Sequence, residues 1–184
     1  MSSSSPLKLH ETKQCPACGA SGSQPVTLGE ATLRQCTSCE LVYAPQYADP
    51  SDLYVEGYLF GGTDFGIDVA HPVFQAYLAD VAAKRMQMIE KANGGRGSFL
   101  DVGCGSGEVL AVAAERGWQA VGVEPVEQSA KHAVEVRGLD VRAALLEESG
   151  LPEKSYDVVG AFHVVEHMSD ATAFLRLITR WAKP

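Results

Sequence analysis

The sequence lacks the long apolar segments that would place a protein in or across a membrane. No apolar run among its 184 residues approaches the ~20 residues that a transmembrane helix needs. The first residues, Met1–Pro6, are polar and lack the apolar core of a signal peptide. Basic residues are also fewer than acidic ones: 15 Lys and Arg and 23 Asp and Glu give a formal net charge of −8. These absences predict no membrane association and a cytoplasmic location. They also count against a general nucleic-acid binder, which carries a basic patch.

Cysteine is scarce, but four of the five residues stand in two close pairs. Cys15 and Cys18 form one C-x2-C, and Cys36 and Cys39 form another after a 17-residue spacer. This spacing is typical of two zinc knuckles that each offer two thiolates to one tetrahedral ion. Two disulfides or a redox pair are the alternatives, but a cytosolic chain disfavours disulfides and a redox motif needs no second copy. We therefore predict a structural Zn²⁺, because four thiolates leave no open position for catalysis.

A glycine-rich turn is the most informative feature of the remaining sequence. Phe99–Val102 predicts a buried strand, and three alternating glycines follow it: Gly103, Gly105 and Gly107. Glycine lets the backbone approach a ligand closely, and the helix expected next presents free N–H groups. A nicotinamide fingerprint would need its third glycine at position 108, which is Glu108. The turn therefore predicts a pocket for a different nucleoside-like ligand.

Further motifs follow in a recognisable order. Asp101 stands two residues before the first glycine, and Gln119–Glu124 predicts a second strand that ends in an acid, 21 residues after Gly103. Tyr156–His163 predicts a fourth strand and continues as Val164–His167. This arrangement resembles the class I S-adenosylmethionine-dependent methyltransferases, in particular those with a ubiquinone-biosynthesis-like core. The resemblance implies S-adenosyl-L-methionine as the cofactor and methyl transfer as the reaction.

Alternating strands and helices predict an α/β fold with a Rossmann-like, doubly wound parallel sheet. The predicted strands are 98–102, 119–124, 140–144 and 156–163, and the predicted helices are 72–93, 106–116, 127–137 and 170–182. The resemblance implies three more strands beyond Pro184, so we expect a truncated core whose fourth strand lies at an edge. A bare edge favours pairing into homo-oligomers.

Four segments are expected along the chain. They are a disordered leader (1–13), a zinc ribbon (14–45) with strands near Val26–Leu28 and Leu41–Tyr43, an aromatic linker and helix flanking the cofactor site (46–97), and the N-terminal part of the methyltransferase core (98–184). The aromatic residues of 46–72 predict either a lid over the cofactor or a seam between domains.

The resemblance also implies which residues contact the cofactor. It places Asp101 and Gly103 at the methionine end, and Cys104, Gly105 and Gly107 in the turn that the cofactor approaches. Glu124 would accept hydrogen bonds from the ribose hydroxyls. For Asp101 the alternative is a strand-end cap, and for Glu124 it is a solvated acid. The remaining assignments are the backbone at Leu145 and Leu146 for adenine, with Tyr58 and His163 closing over the cofactor.

Two histidines are the candidate catalytic groups. His163 and His167 follow the fourth predicted strand, where such folds bind ligands. A pKa near neutrality suits a histidine to act as a general base. The alternative, which we favour, is that His163 packs over the cofactor while His167 and Glu166 stabilise the loop.

The acceptor is predicted to be a small molecule of the secondary-metabolite or sugar type. One alternative is a ribosomal-RNA base methyltransferase. The acidic charge and Arg34 as the only cation between the cysteine pairs count against it. Another alternative is a non-catalytic fragment that binds the cofactor and zinc.

Overall fold

The computed structural model describes residues 8–48, 60, 68–69 and 71–184, which divide into two compact units. The first unit holds the described residues of Met1–Tyr54 together with Val165–Leu177. The second holds those of Val55–Val164 together with Ile178–Pro184. The cysteine pairs therefore belong to one unit and the glycine-rich turn to the other. Among the described residues, no helix has both the length and the apolar character needed to cross a membrane.

Short antiparallel strands build the described part of the first unit. A three-stranded sheet has the order β2 (Ser23–Leu28), β3 (Ala31–Cys36) and β4 (Val42–Tyr43). A second pair joins β1 (Leu9–Glu11) to β5 (Gln46–Ala48). β2 and β4 coincide with the strands expected there, whereas β1, β3 and β5 were not predicted. β1 lies within the expected leader, so ordered structure begins before residue 14.

The first unit also includes most of helix α4 (Ala171–Ile178). The side chain of Asp170 caps this helix by accepting the Ala173 N–H at 2.8 Å, as a good N-cap residue does. The Thr172 hydroxyl donates to the Ala17 carbonyl at 2.7 Å and so ties the helix to the first cysteine loop. The sequence predicts this helix to run to 182 within the core segment, but it ends at Ile178.

The first described helix of the second unit is α1 (Pro72–Asn93), with the predicted bounds. Proline at the first position suits a helix start, and Gly94 ends the helix in the left-handed conformation at φ +71°. Ala82 and Met86 are buried and Ile89 packs against the core, whereas Met88 is 68% exposed. The buried stripe of α1 therefore passes through Ala82, Met86 and Ile89.

A four-stranded parallel sheet forms the centre of the second unit, which confirms the predicted fold class. Its order is β8 (Val141–Arg142), β7 (Gln119–Val123), β6 (Ser98–Val102) and β9 (Val158–Gly160). β8 and β9 are shorter than the predicted 140–144 and 156–163. β6 lies between two partners and is almost wholly buried, which explains its continuous apolar run.

Helices α2 (Glu108–Glu115) and α3 (Glu127–Lys131) follow β6 and β7. α3 continues as a π-helical turn over His132–Val136, so the expected single helix 127–137 changes its winding midway. Leu110 and Ala113 of α2 pack with Met86 and Phe99 in the core. The core thus lies against the same strand that leads into the glycine-rich turn.

The edge beside β9 is paired at one end. Tyr156 and Ala182 form a parallel bridge, and the Lys183 N–H donates to the Tyr156 carbonyl at 2.9 Å. Trp181, which falls within the predicted helix 170–182, lies beyond α4 and is buried, with its indole N–H donating to the Leu151 carbonyl at 3.1 Å.

Candidate functional site

The glycine-rich turn leaves β6 at the sheet edge where β7 also ends. Gly103, Gly105 and Gly107 all have positive φ, at +72°, +57° and +87°. The Gly103 N–H donates to the Val123 carbonyl at 2.8 Å, which ties the turn to the end of β7. Carboxyl ends of parallel strands are where open α/β sheets bind ligands. The three glycines are therefore required by the backbone at the place where a ligand would lie.

Close approach as well as φ makes glycine necessary at Gly103 and Gly107. A Cβ at Gly103 would lie 2.6 Å from Cγ2 of Val164. A Cβ at Gly107 would lie 2.5 Å from Cδ1 of Leu139 and 3.2 Å from the Ala133 Cβ. The segment after β9 and the turn after α3 thus pack directly onto the glycine backbone.

Glu124 connects this turn to the loop after β7. Its Oε2 accepts the Gly105 N–H and its Oε1 accepts the Val126 N–H, both at 2.9 Å. The side chain is 7% exposed, so it is not a solvated acid. Burial raises the pKa of Glu124, and the two backbone hydrogen bonds oppose that rise. Each carboxylate oxygen has a second lone pair with which it could accept a ligand hydroxyl.

Asp101 is the most buried acid of the site, at 2% exposure. Its Oδ1 has no hydrogen-bond partner among the described residues. Burial raises the pKa of Asp101 to about 8, although the charge of Arg85 acts in the opposite direction. A buried carboxyl oxygen without a partner is costly, and a donor or cation on a ligand would satisfy it. The site therefore fits a ligand that brings an ammonium or similar group to this position.

The Cys104 thiol is a packing group within the turn. It is buried, and burial raises the pKa of the thiol well above its usual range. Its Sγ lies only 2.6 Å from where a Cβ on Gly122 would be, so it fills the space beside β7. A thiol that stays protonated is a poor nucleophile.

The structure places the other predicted cofactor residues less tightly. Leu145 precedes a 3-10 turn (Leu146–Glu148) and is 55% exposed, whereas Leu146 is buried. Tyr58 lies outside the described residues. His167 lies in the 3-10 turn Val165–His167 of the first unit.

His163 directly follows Phe162 where the chain leaves β9, and it has an unexpected partner. Its Nε2 lies 2.7 Å from Nη2 of Arg85 on α1. The Arg85 guanidinium also lies 4.7 Å from the centre of the Phe162 ring, a cation–π distance. Arg85 was not predicted as a site residue, although a signal was there: this cation falls between Val81 and Met86 on a helix that packs by its apolar side.

The four cysteines of the first unit come together as one cluster. All four Sγ atoms lie within 4.8 Å of one another, with Cys15–Cys39 at 3.5 Å and Cys18–Cys36 at 3.6 Å. Four sulfurs at 2.3 Å around a tetrahedral ion would be about 3.8 Å apart. The donor set and its spacing therefore fit a Zn²⁺ ion.

The two cysteine loops share one backbone conformation. The Gly19 N–H donates to the Cys15 carbonyl at 2.9 Å, and the Glu40 N–H donates to the Cys36 carbonyl at 3.0 Å. Gly19 and Glu40 are both left-handed, at φ +72° and +63°. Backbone N–H groups, that of Cys39 first, lower the pKa of the Cys36 thiol, whereas, against the effect of the Leu41 N–H, the neighbouring thiols raise the pKa of Cys39. Both loops are thus shaped to present their sulfur atoms to one point.

Comparison with known protein families gives a match over most of the second unit. The family profile described as "Methyltransferase domain" matches residues 74–184. This range includes α1 from its third residue, the glycine-rich turn, Glu124 and the segment after β9.

Curated relatives match over a similar region. A ubiquinone biosynthesis O-methyltransferase of Bradyrhizobium sp. is 32% identical over 123 residues, which are 62% of this chain and 47% of the relative. The protein of the same name in Idiomarina loihiensis is 37% identical over 91 residues, 46% of this chain and 37% of the relative. The chain thus spans about half the length, or less, of these relatives.

A solved structure shares the fold. The plantazolicin methyltransferase BpumL, solved in complex with SAH, superposes with a TM-score of 0.52 and 16% identity. The match covers 69% of this chain and 52% of BpumL. At that identity the likeness concerns the fold alone.

Proposed function

The chain belongs to the methyltransferase domain family, and from this premise we propose that it transfers a methyl group from S-adenosyl-L-methionine to a small-molecule acceptor. Its parallel sheet has the class I methyltransferase fold. The cofactor would supply a methyl group already activated on a sulfonium, so the protein's part is to bind, orient and exclude water.

The observation that carries this proposal is the hydrogen bond between the glycine-rich turn and Glu124. Glu124 accepts the Gly105 N–H at 2.9 Å, so the glycine turn and the acid after β7 form one preassembled surface. On that surface Glu124 would bind the ribose hydroxyls, and the unpartnered oxygen of Asp101 would accept from the methionine end. Gly103 keeps the backbone open between them. The roles of Cys104, Gly107, Leu145, Leu146, Tyr58 and His167 remain predictions.

A small-molecule acceptor is favoured over RNA. The curated relatives are named for ubiquinone biosynthesis, and the net charge of this chain is −8. Arg34, the cation between the cysteine pairs, donates to the Thr12 carbonyl at 3.1 Å and pairs with Glu11 at 3.3 Å. Its charge is thus already balanced, which weakens its use for phosphates.

We infer that the cysteine cluster holds a structural Zn²⁺ ion. Among the described residues of the first unit, the buried ones that surround it are few, namely Cys15, Cys36 and Tyr43. A core this small stabilises little on its own, and metal binding can supply about 10–16 kcal/mol. Four thiolates would fill the coordination sphere and leave no position for catalysis.

Calorimetric titration with S-adenosylhomocysteine tests the cofactor assignment. We expect micromolar binding by the zinc-replete chain and at least a tenfold loss in Glu124→Gln, which removes the charge but keeps the shape. Glu127→Gln is the matched control, because Glu127 is exposed and pairs only with Lys131 among the described residues. Absence of binding, or equal binding by both variants, would contradict the assignment.

The acceptor class needs a separate assay. The chain would be incubated with S-adenosyl-L-methionine tritiated on the methyl group and, in parallel, with catechols, nucleotide-linked deoxysugars and ribosomal RNA. Label transferred to either small-molecule set supports the proposal. Label transferred to RNA alone would replace it by the RNA alternative, and binding without any transfer would favour a non-catalytic role.

A further inference from the structure

The segment that leaves β9 is held in an unusual conformation. His163 has φ +57°, a left-handed value that residues other than glycine seldom adopt. Both of its neighbours are fixed by packing: the Phe162 ring lies under the Arg85 guanidinium, and Val164 lies against Gly103. Strained residues persist where the surroundings determine them, and they cluster at functional sites. The conformation of His163 is therefore imposed by the site rather than by a flexible loop.

The hydrogen bond between Arg85 and His163 determines which imidazole nitrogen carries the proton. Nη2 of Arg85 lies 2.7 Å from Nε2 of His163. A guanidinium can only donate, so Nε2 must accept with its lone pair. A neutral imidazole has one N–H, and with Nε2 accepting, that proton is on Nδ1. A doubly protonated ring would direct an N–H at a guanidinium N–H, and two cations in contact repel.

We propose that Arg85 is a positioning residue that holds His163 as the Nδ1–H tautomer. Because the lone pair of Nε2 is engaged by the Arg85 guanidinium, His163 cannot act as a general base through that nitrogen. The consequence for catalysis rests on the proposed function, whereas the tautomer does not.

The surroundings of Arg85 support a fixed rather than a passing contact. Its guanidinium is held on one face by Phe162 at 4.7 Å, and α1 is anchored in the core by Met86, the next residue. The charge of Arg85 also opposes the rise in the pKa of buried Asp101, so the guanidinium lies near the end of β6. One arginine thus links α1, the end of β6 and the segment after β9.

The tautomer can be measured directly by nuclear magnetic resonance on the full chain labelled with ¹⁵N-histidine. Long-range proton–nitrogen spectra distinguish a protonated ring nitrogen from an unprotonated one, and His163→Gln identifies the signals among the five histidines. We expect Nδ1 of His163 to carry the proton and Nε2 to be unprotonated. A wild-type spectrum with the proton on Nε2 would overturn the proposal without any need for a variant.

Variants of Arg85 test whether the arginine is the cause. Arg85→Met should remove the preference for Nδ1–H, and Arg85→Lys, which still donates, should restore it. Lys84→Met is the matched control, because Lys84 is the adjacent residue on α1, is exposed and pairs with Asp80 at 2.6 Å. If Arg85→Met keeps the wild-type tautomer, or if Lys84→Met loses it, Arg85 is not the positioning residue.

A titration of the same samples with S-adenosylhomocysteine separates this inference from the proposed function. An Nδ1–H tautomer without ligand binding would leave the role of Arg85 standing and count against the cofactor assignment. Ligand binding together with an Nε2–H tautomer would support the cofactor assignment and overturn the role of Arg85. Each result therefore decides one of the two statements independently.

Discussion

Replacing Asp101 by asparagine should stabilise the second unit at neutral pH, because the folded chain buries this carboxyl and one of its oxygens has no partner among the described residues. Burial raises the pKa of Asp101 from 3.8 to about 8. Between these two values the folded chain retains a proton that the unfolded chain has released. The free energy of unfolding is therefore highest below pH ~4, where Asp101 is protonated in both states. It falls as the pH rises toward 8, because folding then requires the carboxyl to take up a proton.

The magnitude follows from the pH interval. The difference in unfolding free energy between Asp101→Asn and the wild type should grow by about 1.4 kcal/mol per pH unit, or about 3 kcal/mol from pH 5 to pH 7. Below about pH 4 and above about pH 8 the difference should be constant.

Urea unfolding followed by tryptophan fluorescence suits this measurement. The two tryptophans of the chain, Trp118 and Trp181, both lie in the second unit, so the signal reports on the unit that contains Asp101. Asp80→Asn is the control, because the Asp80 side chain is 59% exposed on α1. A stability difference that is the same at pH 5 and pH 7 would refute the reasoning that burial of this carboxyl controls its ionisation.

Three further predictions concern the glycines, the cysteines and a half-buried acid. Gly103→Ala should abolish S-adenosylhomocysteine binding and lower the urea midpoint of unfolding. Gly138→Ala should keep binding, because Gly138 is also left-handed but has open space around it. Equal losses of binding in the two variants would contradict the close-approach argument. Cys36→Ser should lower the zinc content measured by atomic emission, while Cys104→Ser should keep one ion per chain. Glu90→Gln should destabilise the chain at pH 7, because Arg116, which donates to both carboxylate oxygens of Glu90, lowers the pKa of Glu90 to about 2. The effect should vanish as the pH falls toward 2. Acid unfolding curves of both forms measure this, and parallel curves would contradict it.

The sequence predicts the sheet well because parallel strands buried on both faces leave a strong local signal. The apolar run before Gly103 and the acid Glu124 predicted both β6 and β7 and the edge at which they meet. The helix that precedes them was also predicted, since proline begins it and glycine ends it. For the cysteines, spacing alone predicted the cluster, because two C-x2-C loops can converge on only a few arrangements.

Other features depend on contacts between distant residues, which local patterns do not encode. The pairing of β1 with β5 joins residues 9–11 to 46–48, and neither segment has strong alternation. The contact of Arg85 with His163 spans 78 positions. The early end of α4 at Ile178 also follows from tertiary contacts, because Trp181 is withdrawn from the helix to bond the Leu151 carbonyl. Intrinsic helix and strand propensities could not predict these three features, because tertiary packing overrides such propensities.

The two hydrogen bonds that Glu124 accepts from Gly105 and Val126 have a consequence for the cost of recognition. A glutamate on a loop normally gives up side-chain rotational entropy of about 1.5–2 kcal/mol when a ligand immobilises it. Here much of that entropy has already been lost during folding, so a nucleoside bound at Glu124, as proposed, would meet a carboxylate with little freedom left to lose.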